Sequence, residues 1–148
     1  MTVSLTEIKI IETAEDLALC YPIMKQLRTN LLQEDFLKLY QEAHAREIYV
    51  LVAAKNLGQI VGLMGYRFLH DFVHGKHLYI DDLVTDEQHR SKGIGAELLK
   101  YAESVASANN CKGMRLCTGI ENSKGMKFYQ TQGWALRAHA YKKKLVSN

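Results

Sequence analysis

From Leu5 to Ile11 apolar and polar positions alternate closely enough to predict a first strand. Thr13 then opens T-A-E-D, a capping residue with an acid three positions on, and starts a helical stretch that runs through Arg28. Pro22 is expected to kink or divide that helix. Leu31, Leu32, Phe36, Leu39 and Tyr40 form a second helical stripe that runs out near Arg46. Ile48 to Ala54 and Ile60 to Leu69 read as strands joined by the turn signal N-L-G-Q. His70 to Lys76 reads as a loop, and His77 to Thr85 as the central strand. Ile94, Leu98, Tyr101, Ala102 and Val105 place an apolar stripe on a long third helix. Met114 to Thr118 predicts a short strand, and Asn122 caps a last helix that carries Phe128 and Tyr129 and ends at Gly133. Trp134 to Leu145 reads as one or two final strands. The order β-α-α-β-β-β-α-β-α-β predicts a mixed sheet, α/β or α+β in class, with helices on both faces.

At 148 residues the chain is expected to form a single domain over 1–148. No apolar run reaches the length of roughly 20 residues that a membrane helix needs. The opening M-T-V-S-L-T-E-I-K lacks the basic-then-apolar order of a signal peptide. Cys20, Cys111 and Cys117 are odd in number and lack C-x-x-C spacing, which argues against a disulfide framework or a structural zinc site and fits a reducing cytoplasm. A net charge of +3 is too small for a dedicated nucleic-acid binder, and the run Tyr141-Lys142-Lys143-Lys144 reads as a solvated strand end.

The chemistry concentrates between Asp81 and Gly95, in D-D-L-V-T-D-E-Q-H-R-S-K-G-I-G. An apolar strand passes through a basic turn into a helix opened by glycines. The first N–H groups of a helix have no intrahelical partner, and the helix dipole adds positive potential there. Gly93 and Gly95 remove the Cβ atoms that would hold an anion away, and Arg90 and Lys92 add full charges. A phosphate or pyrophosphate is the ligand this pattern suits.

The run Arg90-Ser91-Lys92-Gly93-Ile94-Gly95 fits R-x-x-G-x-G and resembles the coenzyme-A signature of the GNAT superfamily of acyl-CoA N-acyltransferases. A second run, Asn122, Phe128-Tyr129 and Gly133-Trp134, is similar to that family's downstream segment, and the element order matches over nearly the whole chain. The resemblance implies a mixed sheet of six to seven strands flanked by four helices, with acetyl-CoA as co-substrate and no metal. It implies that Leu83, Val84 and Thr85 pair with pantetheine through their backbone. The diphosphate would lie on the turn formed by Arg90, Ser91, Lys92, Gly93, Ile94, Gly95 and Ala96. It further implies that Asn122 contacts the cofactor arm and that Tyr129 protonates the departing thiolate. A phenol suits that task because its pKa of about 10 keeps it protonated at neutral pH.

The same resemblance places the general base at Asp81, with Asp82 structural or substrate-orienting. Some family members carry a glutamate where this chain has Tyr79, or an acid where it has Cys117. Strand neighbours point to opposite faces, so only one of the two aspartates can face an acceptor unless a bulge intervenes. Read without the resemblance, Asp81 and Asp82 are strand-end carboxylates paired with Lys or Arg, and Tyr129 is a core aromatic. His70, His74 and His77 have metal-like spacing but read as solvated or lining the acceptor entrance, and Cys117 reads as a buried inert thiol.

The function expected is acetyl transfer to a primary amine by direct attack in a ternary complex, with a small-molecule amine favoured. The alternatives are a peptide or protein acceptor and a non-catalytic acyl-CoA sensor. A dinucleotide enzyme is disfavoured because Gly93-Ile94-Gly95-Ala96-Glu97-Leu98 lacks the third glycine of G-x-G-x-x-G. The acceptor pocket is expected from Tyr21–Tyr40, the His70–His77 loop and Trp134–Tyr141, a wall that includes Arg28. Whether the protein is a homodimer stays open.

Overall fold

The alternation at the start of the chain forms an edge strand, β1 (Thr6–Ile10), in a computed structural model that describes residues 6–146. Leu5, where the strand was expected to start, lies outside the described residues. Two compact units are present, one ending at Leu116 and the other beginning at Cys117.

In the first unit, Thr13 caps helix α1 (Ala14–Leu27) by accepting the Asp16 N–H at 3.1 Å, as the T-A-E-D pattern predicts. Pro22 does not divide this helix. A proline in a helix interior costs ~3 kcal/mol, but Leu17, Cys20, Ile23 and Met24 are all buried on one face, and that burial holds the helix together. Helix α2 (Gln33–Glu47) follows and buries Phe36. Strands β2 (Val50–Asn56) and β3 (Gln59–Asp71) are joined through Leu57 and Gly58, both at positive φ, the conformation that a two-residue hairpin turn requires. Strand β4 (Gly75–Thr85) pairs antiparallel with β3, and the expected loop shrinks to residues 72–74 because the ladder continues to Asp71 and Gly75. A 3₁₀ turn (Glu87–His89), helix α3 (Ile94–Ala108) and strand β5 (Met114–Leu116), parallel to β4, complete the unit.

The sheet order is β1-β2-β3-β4-β5. Period-two alternation decides which helix each side chain meets. Leu51, Ala53, Leu63 and Val84 pack with the buried residues of α1 and α2. On the opposite face, Gly62 lies so close to α3 that an added Cβ would stand 2.8 Å from Ile94. Helices therefore cover both faces, as predicted.

Ile48 ends α2 in the left-handed region, at φ 54° and ψ 41°. That is an unusual place for a β-branched residue, and its side chain is 70% exposed. Replacing Ile48 by Gly is expected to raise stability by about 0.5–1 kcal/mol, because relief of left-handed strain exceeds the extra entropy of glycine in the unfolded chain. A denaturant titration that showed a loss instead would disprove the strain.

The second unit holds helix α4 (Ser123–Thr131), stopped by Gly133 at φ 91°. The one or two final strands expected over Trp134–Leu145 are not formed, so among the described residues the sheet has five strands rather than six to seven. Leu136, Tyr141 and Leu145 are exposed, and a strand without a ladder partner is not stable on alternation alone. The basic run Lys142–Lys144 is exposed, but not at a strand end.

Candidate active site

In the β3–β4 ladder Gly65 faces Asp82 and Tyr66 faces Ile80, which leaves Asp81 as one extra residue on β4. This is the bulge that strict alternation would need to bring both carboxylates to one side. Both aspartates line a single cavity of about 550 Å³ under α1 and α2. Each is held by arginine. Arg67 grips Asp81 with a two-pronged contact, Nε to Oδ2 and Nη2 to Oδ1, both at 2.8 Å. Arg28 reaches Oδ1 of Asp82 through Nε at 3.1 Å and Nη2 at 2.9 Å, and Nη2 also donates to the Asp81 carbonyl at 2.9 Å. The ion-paired reading of the two aspartates is thus satisfied in full. Each oxygen of Asp81 takes one N–H, so each keeps a lone pair that can accept a further proton or water.

Tyr49 donates to Oδ2 of Asp82 at 2.7 Å. Burial pushes the Tyr49 hydroxyl well above the usual tyrosine range, and the adjacent Asp82 carboxylate adds to the rise. It therefore stays a donor. The ring fits only because position 65 is glycine: a Cβ there would stand 1.7 Å from the Tyr49 oxygen. Glu47 stands at the cavity edge, 3.6 Å from Nη1 of Arg67.

Beyond the bulge, β4 keeps its ladder with β3 through Leu83, Val84 and Thr85. On its other side β5 pairs only with Leu78, Tyr79 and Ile80. Among the described residues of this unit, the outer edge of Leu83–Thr85 therefore has no strand paired to it. The chain then enters the 3₁₀ turn through Asp86, which is buried. Hydrogen bonds from Gln26 at 2.7 Å and from His89 at 2.7 Å hold the Asp86 carboxyl below the usual carboxylate range. Gln26 also accepts the Glu87 N–H at 2.9 Å, tying α1 to the start of the turn.

Arg90, Ser91, Lys92 and Gly93 are exposed, with Ser91 at φ 64° and Gly93 at φ 82°. Gly93 occupies the N-cap of α3 and no side chain caps the helix. An added Cβ at Gly93 would meet nothing within 4 Å, so no other group crowds the cap position. The first amides of α3, at Ile94, Gly95 and Ala96, are the orphan donors of that mouth. These residues fit a diphosphate by donor chemistry.

In the second unit Asn122 caps α4, accepting the Gly125 N–H at 3.0 Å and donating to Thr118 Oγ1 at 3.1 Å. Both ends of its amide are used locally, which gives it a structural task as well as the one the family resemblance implies. Tyr129 packs its ring edge-on against Phe128 at 5.3 Å and Trp134 at 6.0 Å. Burial raises its hydroxyl above the ordinary tyrosine value.

Other expectations need correction. Cys117 is exposed and lies past the end of β5, so it is not a buried strand thiol. Cys20 is the buried one, and burial pushes its thiol up to about 12. His77 is fully buried rather than solvated, with Nδ1 on the Gly75 carbonyl and Nε2 accepting from Arg115 at 3.0 Å. His74 and Asp71 gather beside it. The Arg115 guanidinium contacts two of the three, donating to His77 and standing 3.6 Å from Asp71. The His70–His77 segment is not among the residues lining this cavity. The polar part of the wall is Arg28 just past α1, Tyr40 and Glu47 of α2, Tyr49 just before β2, Arg67 of β3 and the two aspartates of β4. Glu47, Tyr49 and Arg67 were missed. A lone arginine in the apolar run of β3 and a glycine two residues before it were the available signals.

Comparison with known proteins adds to this geometry. The sequence profile of the acetyltransferase (GNAT) family matches residues 11–134. An uncharacterized N-acetyltransferase, YhdJ, of Bacillus subtilis is 32% identical over 136 residues, covering 91% of this chain and 96% of its own. A thialysine N-epsilon-acetyltransferase of Sus scrofa is 30% identical over 74 residues, half of this chain and 44% of its own length. Among solved structures, the aminoglycoside N-acetyltransferase AAC(6')-Iy in complex with CoA superimposes with a TM-score of 0.82 at 19% identity, covering 97% of this chain and 98% of that one.

Proposed function

Since the chain belongs to the GNAT acetyltransferase family, we propose that it moves an acetyl group from acetyl-CoA to a primary amine of a small molecule by direct attack. The observation that carries this reading is the exposed start of α3, with no side-chain cap at Gly93, following a strand edge that β5 leaves unpaired among the described residues. The backbone edge of Leu83–Thr85 binds the pantetheine arm, and the amides of Ile94, Gly95 and Ala96 hold the diphosphate with Arg90, Ser91 and Lys92 around it. Acetyl-CoA supplies the activated thioester carbonyl. Asn122 contacts the cofactor arm.

The acceptor amine must be neutral to attack. Asp81 takes its proton through water, using the lone pairs that Arg67 leaves free. Asp82, fixed by Arg28 and Tyr49, orients the amine. The new C–N bond forms as the C–S bond breaks; Tyr129 gives its proton to the departing thiolate, and the proton lost from the acylated nitrogen returns to the phenolate through water. Its raised affinity for that proton keeps it protonated until the thiolate develops. Holding both reactants in one complex supplies much of the rate.

Calorimetric titration with acetyl-CoA, followed by thiol release across a panel of amines, tests the assignment. Binding with turnover is the expected result. Binding without turnover of any amine marks a sensor instead, and no binding overturns the reading.

A further inference from the structure

The cavity under α1 and α2 carries a count of charges that bears on its occupant. Its walls hold three carboxylates, Glu47, Asp81 and Asp82, against two guanidiniums, Arg28 and Arg67. Four of the five are matched in close pairs, Arg28 with Asp82 at 2.9 Å and Arg67 with Asp81 at 2.8 Å. Glu47 is the remainder. It reaches only to 3.6 Å from an Arg67 already gripped by Asp81, and its side chain is 55% exposed. The rest of the wall is apolar or aromatic and includes Leu31, Phe36, Leu39 and Tyr40. Leu39 lines the cavity although it is more than half exposed.

We infer that the acceptor is a small monoamine: one ammonium on an aliphatic or aromatic body, with no second charge. The inference rests on the acetyltransferase reading and narrows it. One surplus carboxylate balances one cation. A second ammonium would have to leave water beside Arg28 or Arg67 with no carboxylate left to meet it, which is the costly arrangement for a partly buried charge. A carboxylate on the acceptor fares no better, since both guanidiniums are committed and the surplus charge already has its sign. The apolar wall favours an uncharged hydrocarbon body, whose surface it removes from water. The cavity thus selects as much by what its charges reject as by what they attract. Glu47 draws the ammonium to the edge, and Asp81 lies further along the same wall, bridged to Glu47 by Arg67.

The experiment is steady-state acetylation of 2-phenylethylamine and hexylamine beside spermidine, an aminoglycoside, lysine as the free amino acid and Nα-acetyl-lysine amide. Acetyl-CoA binding is measured separately by calorimetry. The monoamines are expected to show kcat/KM at least about tenfold above every other acceptor. In Glu47→Gln, KM for the monoamines is expected to rise about fivefold while kcat stays within about twofold, as befits a half-exposed ion pair. Preference for spermidine, the aminoglycoside or either lysine compound overturns the inference and leaves the acetyltransferase reading standing. Acetyl-CoA binding with no turnover of the monoamines overturns it as well. Failure to bind acetyl-CoA is the separate result that removes the underlying reading.

Discussion

Tyr129→Phe is expected to lower kcat by about 100-fold, the lower range of what a positioned proton donor contributes, while the Kd for acetyl-CoA stays within about threefold. The substitution removes one oxygen and keeps the ring that packs on Phe128 and Trp134, so α4 is expected to hold its shape. Burial makes the hydroxyl reluctant to ionise, which suits a group that must carry its proton until negative charge appears on sulfur. The Trp134 N–H bonds to the Tyr129 carbonyl at 2.9 Å, and this backbone contact survives the change. Pre-steady-state acetyl transfer gives the readout. An unaltered rate would remove Tyr129 from the chemistry and leave it as a core aromatic.

Gly65→Ala has the second large expected effect, this time on stability. The new methyl would lie 1.7 Å from the Tyr49 oxygen and 2.3 Å from its Cζ, so the ring must move. Tyr49 is 9% exposed, packed edge-on against Tyr40 and tethered to Asp82, so movement costs packing and a hydrogen bond together. A loss of roughly 2 kcal/mol follows, or about 6 °C in Tm for a chain of this size. In a Tyr49→Ala background the same alanine is expected to be close to neutral, since the colliding ring is gone. Calorimetry on the two single variants and the double variant decides the matter, and strictly additive losses would show that the collision is not the cause.

Most helices and strands of the first unit were legible because hydrophobic period and capping chemistry agree there. Thr13 announced α1, the N-L-G-Q turn announced the β2–β3 hairpin, and the glycine-opened stripe from Ile94 announced α3. Trp134–Leu145 misled because alternation states only that a strand is possible, while its existence depends on a neighbour. Pro22 misled for the converse reason, since tertiary burial overrode a local penalty. The site divides along the same line. The turn from Arg90 to Ala96 is a continuous sequence motif, so the exposed, glycine-capped start of α3 could be read directly from the chain. The cavity is assembled from positions as distant as Arg28, Glu47, Arg67 and Asp82, and no spacing along the chain links them.

The extra residue in β4 carries a consequence for how this fold tolerates insertions and deletions. Because Asp81 has no partner across the ladder, excising it joins Ile80 to Asp82 with Gly65 and Tyr66 still opposite the residues they face now. Every other side chain of the strand keeps its side of the sheet. Excising Leu83 instead would turn one end of the strand over and carry apolar groups into solvent. A chain shortened at position 81 is expected to keep a cooperative transition in a circular-dichroism melt, lowered by the loss of the Arg67–Asp81 pair, and one shortened at 83 to lose it. Equal damage from both would mean that the surplus residue is woven into the sheet rather than appended to it. On this view the acid is an addition to the strand, mounted beside the ladder rather than built into its pairing.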